Sequence, residues 1–228
     1  MDSGLAVIRK LVMMAALLAA FSSHAGLSSK EQKPVEITAK SWLVSSEGQI
    51  IAGRNIKDVR PIASITKLVT VMVFLDEVKY PTRIQKELVQ RALSSSDNAA
   101  SRKLCEMYPG GIHDCVFIMN MKMKLMGLKS TKFVEPTGLS VFNVSTAEEL
   151  VKIVQEASKY DEITKSSHNK IRNTNPLVKK HDLTVSKTGY IFASGGCIVM
   201  MAKQKIVVIL GSKNTHTRIP EAEALLNF

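Results

Sequence analysis

The stretch Ser64-Ile-Thr-Lys-Leu-Val-Thr-Val-Met-Val-Phe-Leu75 decides the fold, because a polar start gives way to a nearly unbroken apolar run. The apolar density predicts a buried helix that begins at Ser64. Residues three apart on a helix have Cβ atoms about 5–6 Å apart, so Ser64 and Lys67 would share one face. A serine hydroxyl becomes a nucleophile when a neighbouring base removes its proton. The stretch therefore predicts a serine–lysine pair on a central helix.

Strand patterns lie on both sides of this helix. Two short apolar segments surround Ser46-Glu47-Gly48 and predict a β-hairpin, and three later segments predict an antiparallel meander. The five segments are residues 39–44, 49–53, 183–191, 197–202 and 205–211. Strands at both ends with helices between them predict a mixed α/β (α+β) fold, in which helices flank an antiparallel sheet.

Helical patterns fill the middle of the chain and close its end. The predicted helices cover residues 85–107, 116–126, a segment from Ser145 and residues 220–226. Ser145 followed by Glu148 has the spacing of a capping box. Residues 133–143 are predicted to form a loop, and residues 160–182 a polar, irregular stretch.

The first 25 residues have the order of a signal peptide. Arg9 and Lys10 precede the apolar run 11–21, and Ser23-His24-Ala25 has the pattern of a cleavage site. The alternative is a buried N-terminal helix. The apolar run is too short to span a bilayer, so no transmembrane anchor is expected after cleavage. The predicted layout is a signal peptide at 1–25, a linker at 26–35 and a catalytic domain at 36–228 in the periplasm.

Composition narrows the possible partners. Hydrophobic residues make up 45% of the chain, which excludes a disordered protein, and the net charge is +11. A basic surface suits nucleic acid, a membrane surface or an acidic polymer. Dispersed basic residues, few aromatics and export argue against nucleic acid. The histidines have no HxxxH or HExxH spacing, so we expect no metal.

The three cysteines are too few for a disulfide scaffold. In an oxidising compartment Cys105 and Cys115 could pair and leave Cys197 unpaired. Each cysteine could equally be a small buried hydrophobic residue, and this interpretation is preferred for Cys197 in its apolar strand.

Three short motifs occur in order along the chain. They are Ser64-Ile-Thr-Lys67 (SxxK), Ser96-Asp-Asn98 (SxN) and Lys187-Thr-Gly189 (KTG). Each of the first two is weak alone, because SxxK also fits residues 167–170 and SxN also fits residues 167–169 and 212–214. Context selects the first set, since Ser64 begins the apolar helix, Ser96 lies in a region between helices and Lys187 lies on a strand. Ser167, in contrast, lies in a polar stretch without an apolar helix.

The chemistry of a serine–lysine site explains these residue types. A lysine normally titrates near ~10.4, so Lys67 would need burial and a second cation, such as Lys187, to act as a base. Ser96 could pass a proton between Lys67 and the leaving group. Asn98 could orient Lys67 and bind a substrate amide. The candidate catalytic residues are Ser64, Lys67, Ser96 and Asn98.

The KTG strand supplies the candidate substrate-binding residues, which are Lys187, Thr188, Gly189 and Tyr190. Lys187 could hold a substrate carboxylate, and the strand could pair with an extended peptide. The backbone N–H groups of Ser64 and Tyr190 would form an oxyanion hole.

These motifs resemble the active site of penicillin-binding proteins and class A β-lactamases. The surrounding segments are similar to low-molecular-mass D,D-peptidases of family S11, and closer still to D-alanyl-D-alanine endopeptidases of the penicillin-binding protein 7 type. The segments that carry the resemblance are Arg60–Lys67, Ser95–Ala100, Tyr108–Gly111, Phe133–Ser140, Asn143–Ala147, Arg172–Asn175, Arg218 and Leu225–Leu226.

The resemblance implies hydrolysis of D-alanyl bonds in peptidoglycan stem peptides through a Ser64 acyl-enzyme, with β-lactams as inhibitors and no cofactor. Ser96 follows Lys67 by only 29 residues, about half the spacing of the family. The implied fold is therefore a D,D-peptidase domain with a reduced helical lobe and an open cleft. The alternative is an inactive relic that only binds peptidoglycan.

A class A-like β-lactamase is the alternative enzyme. It would need a carboxylate to activate the deacylating water, and Glu135 lies in a plausible loop. However, Glu135-Pro-Thr-Gly-Leu-Ser140 resembles the peptidase loop, so Glu135 is expected to be structural. The sequence leaves endopeptidase and carboxypeptidase activity both open.

Overall fold

Residues 35–169 and 172–228 are described by the structure, a computed structural model. Val35–Phe228 forms one compact unit. The predicted signal peptide and nearly all of the predicted linker lie outside the described residues, so both remain predictions. In the part of the chain that is described, no helix is long and apolar enough to cross a membrane.

The main sheet has five antiparallel strands in the order β2-β1-β7-β6-β5. The strands are β1 (Ser41–Ser46), β2 (Gln49–Arg54), β5 (Val185–Ile191), β6 (Gly195–Ala202) and β7 (Lys205–Ser212). The predicted hairpin and meander are both confirmed. Because β1 pairs with β7, the two ends of the domain form one sheet, and β5 lies at its edge. Two short strands, β3 (Arg60–Pro61) and β4 (Val144–Ser145), pair separately.

The helices are α1 (Thr66–Glu77), α2 (Arg83–Ser94), α3 (Asn98–Glu106), α4 (Gly111–Leu125), α5 (Ala147–Ala157), α6 (Asp161–His168) and α7 (Arg218–Leu226). Helix α1 is the central one, and it is buried from Thr66 to Phe74. A 3-10 turn, Ala63–Ile65, precedes it, so Ser64 lies in the turn and not in the α-helix itself.

The sheet separates two hydrophobic cores because neighbouring residues of a strand point to opposite faces. Cys197 and Val199 of β6 pack in the larger core with α1. Ile198 and Met200 pack in the smaller core against α7. The mixed α/β fold predicted from the sequence is therefore confirmed.

The region 85–107 is helical as predicted, and two helices, α2 and α3, cover it with a turn at Ser96 between them. Ser96 has a φ of +57°, which a right-handed helix does not allow. Asp97 then caps α3 by accepting a hydrogen bond from the Ala100 N–H at 3.0 Å. A cap inside an otherwise helical pattern starts a new helix.

Three other predictions differ in detail. Thr146, not Ser145, caps α5, since its hydroxyl accepts the Glu149 N–H at 3.1 Å and Ser145 belongs to β4. Helix α4 begins at Gly111, earlier than predicted. The stretch 160–182 is not irregular throughout, because it contains α6 and a second 3-10 turn, Pro176–Lys179. Polar residues dominate α6, which masks its helical period.

A disulfide joins Cys105 at the end of α3 to Cys115 of α4. Cys197 is a buried free thiol. Of the two alternatives for the cysteines, the pairing of Cys105 with Cys115 is therefore correct.

Candidate active site

Three parts of the fold meet at the candidate site. Ser64 and Lys67 come from the 3-10 turn and the first turn of α1. Ser96 lies in the turn between α2 and α3, and Asn98 is the first residue of α3. The KTG segment runs along the edge strand β5. The sequence motifs are far apart in the chain, and the structure brings them together.

Lys67 lies at the centre of the site and is fully buried. Its Nζ donates hydrogen bonds to Ser64 Oγ at 2.8 Å, to Asn98 Oδ1 at 2.7 Å and to the Thr137 carbonyl at 2.6 Å. An ammonium group has three donors, so these contacts fix its orientation completely.

Burial lowers the pKa of Lys67 from 10.5 to about 8, and the carboxylates of Glu135 and Asp97 partly oppose this effect. Burial penalises the charged form of an amine, which is why the pKa falls. Burial also lowers the pKa of Lys187 well below its ordinary value, with the positive charges of Lys67 and Arg218 adding to the effect.

Lys187 is almost fully buried and contacts the SxN turn. Its Nζ donates to Ser96 Oγ at 2.9 Å and to the Thr188 carbonyl at 2.7 Å. The Ser96 hydroxyl is therefore bonded to Lys187, whereas the Asn98 amide oxygen is bonded to Lys67. The two lysines thus form two separate serine–lysine pairs.

Two residues of the site segments have left-handed backbone conformations: Ala63, which precedes Ser64, and Ser96 of the SxN motif. Ala63 has a φ of +47° and Ser96 a φ of +57°. Such conformations cost of order 1–3 kcal/mol for a non-glycine residue and persist where the surrounding structure enforces them. In this arrangement the Ser64 hydroxyl contacts Lys67 and the Ser96 hydroxyl contacts Lys187.

Two glycines pack directly against the backbone of Ser64. A Cβ on Gly189 would lie 2.8 Å from the Ser64 nitrogen, and one on Gly138 would lie 2.7 Å from the same atom. The absence of side chains at both positions lets β5 and the loop after Pro136 approach the Ser64 amide. The KTG motif needs its glycine for this reason.

Sequence reasoning missed two groups that hold the site. Arg218 of α7 donates from Nη1 to the Gly189 carbonyl at 2.6 Å, and the Thr137 carbonyl accepts from Lys67. Arg218 appeared only as part of a resemblance. A backbone carbonyl has no sequence signal at all, because every residue carries one.

The fold of the chain is that of penicillin-binding proteins. A cefotaxime-bound structure of penicillin-binding protein D2 from Listeria monocytogenes superposes with a TM-score of 0.77 and covers 86% of this chain and 98% of that one, at 23% identity. A D-alanyl-D-alanine carboxypeptidase from Mycobacterium tuberculosis gives a TM-score of 0.73 at 21% identity, with 86% and 95% of the two chains covered.

The chain belongs to peptidase family S11, whose model is described as D-alanyl-D-alanine carboxypeptidase and matches residues 28–85 and 79–214. A D-alanyl-D-alanine endopeptidase of Escherichia coli is 34% identical, with 73% of this chain and 68% of that protein covered. A protein of the same description from Pseudomonas aeruginosa is 32% identical, with 83% and 76% covered.

The family match comes in two pieces that overlap at residues 79–85. This overlap lies between Lys67 and Ser96, where the sequence suggested a shortened segment. In the structure, the turn at residues 78–82 connects α1 directly to α2.

Proposed function

We propose that the chain is a serine D,D-peptidase that hydrolyses D-alanyl bonds of peptidoglycan through an acyl-enzyme at Ser64. The observation that carries this proposal is the buried amine of Lys67, which has a pKa of about 8 and lies 2.8 Å from Ser64 Oγ. A base with a pKa near the working pH is suited to activate a serine.

The reaction begins when neutral Lys67 accepts the hydroxyl proton of Ser64. Ser64 Oγ then attacks the carbonyl carbon of the D-alanyl bond, and the backbone N–H groups of Ser64 and Tyr190 bind the developing oxyanion. Ser96 donates a proton to the leaving amine, and Lys187, 2.9 Å from Ser96 Oγ, replaces that proton. Water then attacks the ester carbonyl carbon. As the bond from that carbon to Ser64 Oγ breaks, Lys67 returns its proton to Ser64. The proton that the attacking water loses restores Lys187 through Ser96, which regenerates the enzyme.

The edge position of β5 supports a role in binding the substrate peptide. An unpaired strand edge can pair with an extended chain, and Thr188, Gly189 and Tyr190 lie along that edge beside Ser64. Asn98 holds Lys67 through its Oδ1 and has an exposed side that can meet a substrate amide. Lys187, in its protonated form, is the proposed partner of a substrate carboxylate.

We favour the endopeptidase reaction on peptide cross-links over the carboxypeptidase reaction. The relatives in Escherichia coli and Pseudomonas aeruginosa carry the endopeptidase description. Large apolar side chains are also exposed in the segments that follow Gly138 and Gly189: Leu139, Phe142, Tyr190 and Phe192. Exposed apolar side chains beside a site suit a ligand that extends beyond one terminal residue.

β-Lactams are the expected inhibitors, since structural neighbours are described as bound to cefotaxime and ampicillin. Rapid β-lactam hydrolysis is disfavoured, because both oxygens of Glu135 accept hydrogen bonds from its own loop and from Asn143. An inactive relic is disfavoured by the intact contacts of Lys67 and Lys187.

The catalytic domain is proposed to cover residues 36–228, after a signal peptide at 1–25 and a linker at 26–35. This layout supports export to the periplasm, where peptidoglycan stem peptides are the substrate. Their carboxylates suit a basic protein, whose net charge of +11 becomes +10 when Asp2, Arg9 and Lys10 leave with the signal peptide.

The test is digestion of purified cross-linked muropeptide dimers by the chain without residues 1–25, followed by mass analysis of the products. Cleavage of the D-alanyl cross-link by the wild type and not by Ser64→Ala supports the proposal. Release of terminal D-alanine alone would assign a carboxypeptidase. No Ser64-dependent product from a folded protein would refute peptidase activity.

A further inference from the structure

The carboxylate of Glu135 organises the loop that faces Lys67. Its Oε2 accepts the Thr137 N–H at 2.7 Å and the Thr137 hydroxyl at 2.5 Å. Its Oε1 accepts the Gly138 N–H at 2.6 Å, the Ser140 N–H at 3.3 Å and the Asn143 amide at 2.9 Å. Five hydrogen bonds to one carboxylate leave it no free oxygen with which to activate a water molecule.

The opposite side of the same loop is bound to the catalytic helices. The Pro136 carbonyl accepts from Thr70 Oγ1 of α1 and from Ser101 Oγ of α3, each at 2.7 Å. The Thr137 carbonyl, one residue on, accepts from Lys67 at 2.6 Å. The loop therefore connects Glu135 to the base of the proposed reaction through two consecutive peptide units.

We propose that Glu135 is a positioning residue that holds the Thr137 carbonyl on the Lys67 ammonium group and, through its charge, sets the pH at which Lys67 becomes a base. The inference rests on the proposed function, because it assigns Glu135 an effect on the same lysine. Glu135 acts through Thr137 and does not itself touch the reacting atoms.

The sign of the electrostatic effect follows from the charges around Lys67. Glu135 and Asp97 favour its protonated form and oppose the larger effect of burial. Lys187 on β5 is the neighbouring cation, and its own pKa is lowered by Lys67 and Arg218. Removal of the Glu135 charge must therefore lower the pKa of Lys67 further, while a looser loop lowers the efficiency of acylation.

The test compares Glu135→Gln with Glu135→Asp and Thr70→Val. The Gln variant removes the charge, the Asp variant keeps it, and Thr70→Val removes a neutral anchor of the same loop. The rate of acylation by a fluorescent penicillin is measured as a function of pH around the Lys67 pKa of about 8.

Glu135→Gln is expected to lower the maximal rate and to move the acid limb of the profile down by about one pH unit, a tenfold change in the protonation equilibrium. Glu135→Asp and Thr70→Val are expected to lower the maximal rate but to leave the acid limb where it is in the wild type, at about pH 8. If the acid limb of a folded Glu135→Gln protein lies at the same pH as in the wild type, the charge of Glu135 has no effect on Lys67. Glu135 would then have only a structural role, and the proposal would be overturned.

A second measurement keeps this test separate from the proposed function. The ¹³C resonance of the Lys67 ε-carbon, assigned by its loss in Lys67→Met, reports the pKa without any turnover. A lower midpoint in Glu135→Gln than in the wild type supports the proposal even if no penicillin adduct forms. Equal midpoints overturn it even if acylation is normal.

Discussion

The Nζ of Lys67 lies 2.8 Å from the Oγ of Ser64, one helical turn away in sequence. The amine is fully buried, and burial brings its pKa to about 8. The short contact and the lowered pKa predict how the acylation rate depends on pH. The lowered pKa also predicts how much the buried amine reduces the free energy of unfolding.

Acylation should follow the deprotonation of Lys67. Below the pKa of about 8 the neutral fraction falls about tenfold per pH unit, so the acylation rate should fall by the same factor. Above about 8 the rate should level off. Stopped-flow or quenched labelling with a fluorescent penicillin measures this profile. A rate that is independent of pH below 8 would exclude neutral Lys67 as the base.

Lys67 should destabilise the folded state at neutral pH. Its folded pKa of about 8 is below the ordinary 10.5, so the unfolded state binds more protons and stability rises with pH between these values. The full cost, on the order of 3 kcal/mol, applies below about 8. Lys67→Met should therefore gain most over the wild type at neutral pH.

Urea unfolding of the two proteins at several pH values measures this difference. The gain from Lys67→Met should shrink as the pH rises from about 8 towards 10.5. If the difference in the free energy of unfolding stays constant over this range, burial does not lower the pKa of Lys67 in the folded protein.

Much of the fold could be predicted from local patterns. Short apolar segments indicated all five strands of the main sheet, and the apolar run after Ser64 indicated α1. Ser96 was expected to lie between helices, but the bounds of α2 and α3 could not be predicted. The left-handed turn at Ser96 is bonded to Lys187, which is far away in the chain.

The side chains of the candidate site could be predicted from motif order and chemistry, but their partners could not. The pairing of Ser96 with Lys187, and of Lys67 with the Thr137 carbonyl, depends on which loops meet in space. Arg218 lies 29 residues from Gly189 in sequence, and its contact is with a carbonyl. These contacts follow from packing, which a single sequence does not display.

Gly189→Ala should impair catalysis by steric contact. The new Cβ would lie 2.8 Å from the Ser64 nitrogen. It would push β5 away from the 3-10 turn, and the N–H groups of Ser64 and Tyr190 would no longer form the proposed oxyanion hole. Loss of one such donor typically lowers the rate by ~10²–10³. Penicillin acylation rates measure the effect. Gly48→Ala is the control: its Cβ meets no atom within 4 Å, but its φ of +80° strains the hairpin turn. It should therefore lower stability and leave the acylation rate unchanged, and equal losses of rate in both variants would contradict the steric account.

The exposed aromatic residues beside β5 should contribute to binding of long substrates. Phe192 is 95% exposed, directly follows β5 and lies three residues after Gly189 of the KTG motif. Phe192→Ala should raise KM for cross-linked muropeptide dimers several-fold and leave the penicillin acylation rate unchanged, because the small inhibitor does not reach it. Phe117→Ala, on the exposed face of α4, is the control. Unchanged KM for dimers would remove Phe192 from the substrate surface.

The central claim is that Ser64 is the nucleophile, and mass mapping of the penicillin adduct tests it most directly. Ser167 is the matched control, since it begins the other SxxK match but bonds the Ile163 carbonyl and the Ser186 N–H. The account predicts one adduct on the peptide that contains Ser64, retained in Ser167→Ala and lost in Ser64→Ala. An adduct that persists in Ser64→Ala, or none in folded wild type, would contradict it.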